Sequence, residues 1–229
     1  MPILLELFAG TGSIGRAFRA RGWDVFSVDI DESSNPTLVA DVLHLQPEQL
    51  PPIVDLIWAS PPCTHYSCAR TKAKTPRDLE GSDALVRKVL ELVGHYRADF
   101  LMENPHSGLL KSRAVVAGIP MQVVDYCRYG KPYRKRTSIW TNCGWVPQRP
   151  LCRHDCPATV PQLASGTWRQ HSEATTHKKV VSTVGSHGTS CTAYHRSCAT
   201  KLQHLPLACV KAGAHVQTTL NRAIFILWW

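Results

Sequence analysis

Leu5-Glu6-Leu7-Phe8-Ala9-Gly10-Thr11-Gly12-Ser13 is the stretch that decides how this chain is read. An apolar run over residues 3–8 stops at a turn with two glycines, and an amphipathic segment, 13–21, follows and closes at Gly22. Strand, glycine turn and helix in that order open a parallel α/β unit, in which glycine lets backbone approach a ligand where the helix begins. The third glycine of a dinucleotide fingerprint is missing, which leaves a nucleoside as the better-fitting ligand. Asp29 stands where a carboxylate can accept bonds from ribose hydroxyls, and Asp41, at the next strand end, can bond an adenine amino group. Taken alone, these residues fit equally well a structural glycine turn with two N-capping aspartates.

Outward from the turn, apolar runs at 3–8, 23–28, 54–59, 100–102 and 122–126 are short, rich in branched or aromatic residues, and bounded by Gly, Pro or Asp. They read as strands. The segment 82–96 reads as a helix with Leu85, Val89, Leu92 and Tyr96 on one face. This alternation predicts an α/β fold, a parallel sheet with helices on both faces, and places the ligand beyond the carboxyl ends of the strands. After about Gly144 the composition shifts to Pro, Thr, Ser, His and Cys. We therefore divide the chain into a catalytic region, 1–142, and a small irregular Cys/His-rich region, 143–229, with no periodic element from Ser182 until the apolar end at 223–229.

The 229 residues, 44% hydrophobic, suffice for one full core. Lys and Arg outnumber Asp and Glu by 26 to 17, a formal net charge of +9 that favours an acidic partner such as nucleic acid. Neither a secretory signal nor an apolar run long enough for a bilayer is visible, so no membrane is expected and the chain is expected inside the cell. Nine cysteines, an odd count, point to free thiols, metal ligands or a reactive cysteine rather than a disulfide framework, and to a reducing compartment.

Ser60-Pro61-Pro62-Cys63 follows the apolar run at 54–59. Two consecutive prolines stiffen the loop and hold the Cys63 thiol on a rigid platform, as a nucleophile requires; the plainer reading is a buried structural cysteine. In their order and separations, the Leu7-to-Gly12 turn, this loop and Glu103-Asn104-Pro105 resemble the first, fourth and sixth motifs of the DNA cytosine carbon-5 methyltransferases. The resemblance covers roughly the first 140 residues, about one ordinary domain. It implies a Rossmann-like fold that binds S-adenosylmethionine through Phe8, Gly10, Thr11, Gly12, Asp29, Ile30, Asp41, Val42 and Pro62. It also implies double-stranded DNA as substrate, a cytosine flipped from the stack, attack on its carbon 6 by Cys63, and Glu103 as the carboxyl group at the ring nitrogen. Tyr129-Gly130-Lys131-Pro132-Tyr133-Arg134-Lys135-Arg136 resembles the eighth motif, which implies contacts from Arg134 and Arg136 to the base and its phosphate. Tyr133 stands where glutamine is usual, so the register of the base-contacting residue stays open by one position.

The chain departs from the family pattern after Asn142, where neither a long target-recognition region nor the closing Asn-containing motif is found. In that it is closer to short phage- or virus-type members, with a cytoplasmic setting in a bacterial or phage context and a nuclear one in a eukaryote. A monomer is expected. Cys143, Cys152, Cys156 and His171 offer four tetrahedral ligands for a structural zinc ion. His187, Cys191, His195, Cys198, His204 and Cys209 form a second set whose spacing chance alone would supply. Two alternatives stay open: transfer to an exocyclic amino group, because Ser-Pro-Pro followed by an aromatic residue is the loop of those enzymes, and a nucleic-acid-binding homologue with little turnover.

Overall fold

The computed structural model describes residues 1–70, 73–161 and 169–171. The second Cys/His set and the apolar end at 223–229 lie outside them.

The strands are β1 (Ile3–Leu7), β2 (Asp24–Asp29), β3 (Leu38–Val39), β4 (Leu56–Ala59), β5 (Asp99–Pro105), β6 (Met121–Asp125) and β7 (Arg136–Thr141), and the helices are α1 (Ser13–Arg19) and α2 (Leu79–Tyr96). They build one seven-stranded sheet in the order β3-β2-β1-β4-β5-β7-β6. The first five strands pair in parallel, whereas β7 lies antiparallel between β5 and β6. A separate two-stranded ribbon joins β8 (Thr159–Pro161) to β9 (Arg169–His171).

All five expected strands are present. In the seven-stranded sheet the two that the apolar pattern did not signal are β3, two residues long, and β7, whose sequence Arg-Thr-Ser-Ile-Trp-Thr begins inside the basic segment; the ribbon strands β8 and β9 were not signalled either. Strand alternation divides the core. Leu5, Leu7, Ile57, Ala59, Phe100, Met102 and Trp140 point to one face, where Val86, Val89 and Leu92 of α2 cover them. Leu4, Leu56, Trp58, Leu101 and Ile139 point to the other, against Ile14 and Phe18 of α1 and, farther along, Tyr129, Cys143 and Trp145. The helix stripe is thus set by Val86 rather than Leu85, which is half-buried. α2 starts at Leu79, three residues before the expected start, because the Asp78 carboxylate accepts a bond from Gly81 N at 2.8 Å and caps it.

The change of composition near residue 144 brings no break in packing among the described residues. Trp145 is buried to 1% exposure in the second cluster, and Cys152 N donates to the buried Asp125 carboxylate at 2.9 Å.

Candidate active site

Pairing register aligns the chemistry. Leu7 of β1 lies opposite Val28 of β2 and Ala59 of β4, and Ala59 lies opposite Met102 of β5. The next residue on each strand, Phe8, Asp29, Ser60 and Glu103, therefore emerges at the same level at the carboxyl edge of the sheet. Four segments spread over about a hundred positions meet along one line, which is where an open parallel sheet holds its ligands.

The glycine turn is tight. Phe8, Gly10 and Gly12 all have positive φ (59°, 52° and 64°), a region that costs a side-chain-bearing residue about 1–3 kcal/mol. Phe8 is held there by the surrounding bonds: Ala9 N donates to Val28 O at 3.1 Å, and Gly10 N donates to Asp29 Oδ2 at 2.7 Å. Asp29 Oδ1 accepts from Asp31 N at 2.8 Å, so the carboxylate is fixed at the strand end by both oxygens. Beside it Ile30 is 70% exposed, an apolar side chain left for a flat ring to cover. Asp41 caps the next turn, accepting from Leu43 N at 2.9 Å, and Val42 is buried behind it. Ser13 Oγ, buried at the turn, has no hydrogen-bond partner. An orphaned hydroxyl, an exposed apolar side chain and two fixed carboxylates fit a nucleoside bearing a polar tail.

Beneath the turn the Glu6 carboxyl is buried and accepts from Gly15 N at 3.0 Å. Burial pushes it up to about 7, outweighing the Gly15 bond and the nearby arginines Arg19 and Arg16.

The loop after β4 is stapled to the loop after β5. The buried Asn104 donates from Nδ2 to Pro61 O at 3.0 Å, Leu109 N donates to Tyr66 O at 2.9 Å, and the Cys68 thiol donates to Ser107 O at 2.9 Å. Tyr66 is itself buried, and its hydroxyl donates to Asp83 Oδ1 of α2 at 2.7 Å; Arg113 grips Asp83 Oδ2 at 2.9 and 2.7 Å. Burial opposes ionisation of Asp83, but the Arg113 and Tyr66 bonds outweigh it and hold the carboxyl below its usual range. Cys63 is 6% exposed, and against the expectation of free thiols it is disulfide-bonded in this structure.

Glu103, 2% exposed, is met by Lys135 Nζ at 3.2 Å and by the Tyr126 hydroxyl at 3.4 Å. Both bonds fall on Oε1. Burial, with the Glu103 carboxylate beside it, pushes the Tyr126 phenol up, so it stays a donor. The basic residue that reaches Glu103 is thus Lys135, between the two arginines named from sequence. Arg136 instead makes a two-point bond to the buried Asp125 at 3.0 and 2.8 Å, and Arg134 Nε lies 3.5 Å from the same carboxylate. Alternation at the start of β7 is the reason: residues 134 and 136 share a face, and 135 takes the other.

Of the four proposed metal ligands, Cys152 and Cys156 come together, joined by Cys127, which sequence reading missed; the three sulfurs lie within 4.8 Å of one another. Cys143 is elsewhere, its sulfur 3.1 Å from Thr141 Oγ1 in the core beside Trp145. For His171 only the backbone position, in β9, is described.

A family model described as C-5 cytosine-specific DNA methylase matches residues 3–117. This chain belongs to that family. A curated relative, the "Probable DNA (cytosine-5)-methyltransferase" of Frog virus 3, is 34% identical over 183 residues, spanning 72% of this chain and 83% of the viral one. Among solved structures, S. pombe Dnmt2 methyltransferase aligns at 16% identity and TM-score 0.47, covering 64% of this chain and 53% of its own. Entamoeba histolytica methyltransferase EhMeth aligns at 15% identity and the same TM-score, covering 66% and 58%. The chain thus spans little more than half the length of these two solved chains. The family match ends before β6, so the basic strand β7 and the cysteine cluster lie beyond it.

Proposed function

We propose that this methylase transfers a methyl group from S-adenosylmethionine to carbon 5 of a cytosine flipped out of double-stranded DNA, with Cys63 as nucleophile. The family supports S-adenosylmethionine and a DNA substrate. The observation that carries the residue assignment is the bond from Asn104 to Pro61 O, which ties the Cys63 loop to the residue after Glu103.

Gly10, Gly12, Asp29, Ile30 and Asp41 would hold the cofactor, whose sulfonium supplies an electrophilic methyl group. The reduced Cys63 thiolate adds to carbon 6 of the ring. Glu103 holds a proton at the ring nitrogen, so that the electron pair displaced by sulfur collects at carbon 5 rather than as a bare anion. Lys135 and Tyr126 fix Glu103 through Oε1. The bound donor would supply the methyl group that carbon 5 takes up, and loss of the carbon 5 proton would then expel the Cys63 thiolate. Arg134 and Arg136, held by Asp125, form the basic edge against the displaced backbone. No helix among the described residues is long and apolar enough to cross a membrane, and an intracellular setting follows from the DNA substrate.

The test is transfer of labelled methyl from cofactor to DNA by protein kept under thiol reductant, compared with Cys63→Ser and Glu103→Gln. Loss of transfer in Cys63→Ser supports the reading, whereas full transfer would assign the protein to the exocyclic-amino class. The family match stops at residue 117, before the basic strand β7, which keeps open a second reading, a DNA-binding homologue without turnover; reduced wild-type protein that binds cofactor and DNA but transfers nothing would establish it.

A further inference from the structure

Cys127, Cys152 and Cys156 form a small buried cluster of their own, with Ala158 the partly buried apolar residue packed against it among the described residues, and belong to neither face of the sheet core. None of the three is in a disulfide. Their sulfurs lie within 4.8 Å of one another, close to the separation of about 3.8 Å that a tetrahedron with zinc–sulfur bonds of about 2.3 Å requires. The surroundings are built to hold the sulfurs in place. His154 N donates to Cys152 Sγ at 3.3 Å, wrapping the Cys-x-x-x-Cys turn around that sulfur. Asp155 accepts from Arg153 N at 2.9 Å and from Arg128 at 2.6 and 2.8 Å, which closes the turn onto the segment that carries Cys127. Past the turn, Thr159 N and Oγ1 both donate to Cys156 O (3.0 and 2.7 Å), which ties the start of the β8–β9 ribbon to the cluster.

We infer that Cys127, Cys152 and Cys156 bind a zinc ion through their three sulfurs. Three thiolates around a divalent ion leave one net negative charge, which Arg128 and Arg136 are placed to offset. The ion would be structural. It ties the turn after β6, the 152–156 turn and the β8–β9 ribbon into one unit, a segment too short and polar to hold itself by apolar burial. Asp125 accepts from both Cys152 N and Arg136, so the ion would also fix the strand edge that presents Lys135 to Glu103. The site is independent of the methyl-transfer reading, because its readout is metal rather than activity.

Full-length protein purified without chelator and analysed for metal should hold one zinc per chain. Cys127→Ser and Cys156→Ser should each lower this to under about a tenth, while Cys143→Ser keeps it. Because the serine variants can fail to fold, wild-type protein stripped and reloaded with cobalt gives a second reading. It should show the visible bands of a tetrahedral ion with thiolate charge transfer. Wild-type protein that holds no zinc and gives no tetrahedral cobalt spectrum, or zinc retained in both cluster variants, overturns the site.

Discussion

The side chains at the sheet edge differ sharply in what their removal should do. Glu103→Gln keeps the shape and the Oε1 contacts but removes the carboxyl function, and should cost about 10²–10⁴ in turnover with cofactor affinity unchanged, checked by kcat and by calorimetry. Lys135→Ala should also depress kcat, whereas Lys135→Arg should restore part of it; a Lys135→Ala protein with normal kcat would show that this contact to Glu103 is incidental. Glu6 sets a pH dependence of stability rather than of chemistry. Its carboxyl is pushed up to about 7 in the folded chain from 4.5, so its proton stabilises the fold fully below about 4.5, and that stabilisation fades as pH rises through 7. By linkage the loss amounts to at most about 3 kcal/mol, and Glu6→Gln, which can still accept from Gly15 N, should flatten the urea midpoint between pH 5 and 8. A midpoint as pH-dependent as wild type in that variant would assign the effect to another group.

Elements explain which parts of this structure could be read from sequence. The runs that became β1, β4 and β5 are buried almost throughout, and those of β2 and β6 carry apolar residues that are buried or half-buried, so all five are visible, and the glycine turn and proline loop that follow two of them carry the cofactor and nucleophile assignments. β7 was hidden because its first residues are polar and held by pairing: the half-buried Arg136 with Asp125, and the buried Ser138 with His106 at 2.8 Å, next to the buried Thr137. A strand that is polar for such tertiary reasons carries no local signal. The same gap concealed Lys135, since the face a residue takes at the start of β7 depends on that strand being recognised. Cys127 was missed because it lies 25 residues before Cys152, and only the return of the chain past β7 brings them together. Arg136→Ala should test how much this edge depends on its ion pair. It leaves Asp125 in the core with Arg134 and Cys152 N alone, and should destabilise by about 3 kcal/mol, read from denaturant midpoints.

At the scale of the whole molecule, a parallel sheet presents the ends of four strands on one line, and the chemistry is distributed along it from the cofactor turn at β1 and β2 to the nucleophile loop at β4 and the acid at β5. The formal charge of +9 predicts that DNA binding weakens steeply with salt, seen as a linear fall of log affinity with log salt concentration; an affinity indifferent to salt would remove phosphate contacts from the account. The measurement that bears most directly on the central assignment is covalent trapping. Reduced protein, cofactor and a duplex containing 5-fluorocytosine should give a complex stable to denaturation, because fluorine cannot leave carbon 5 as a proton does, and peptide mapping should place the DNA on Cys63. A complex mapped to any other residue, or methylated duplex released with no complex formed, would contradict it.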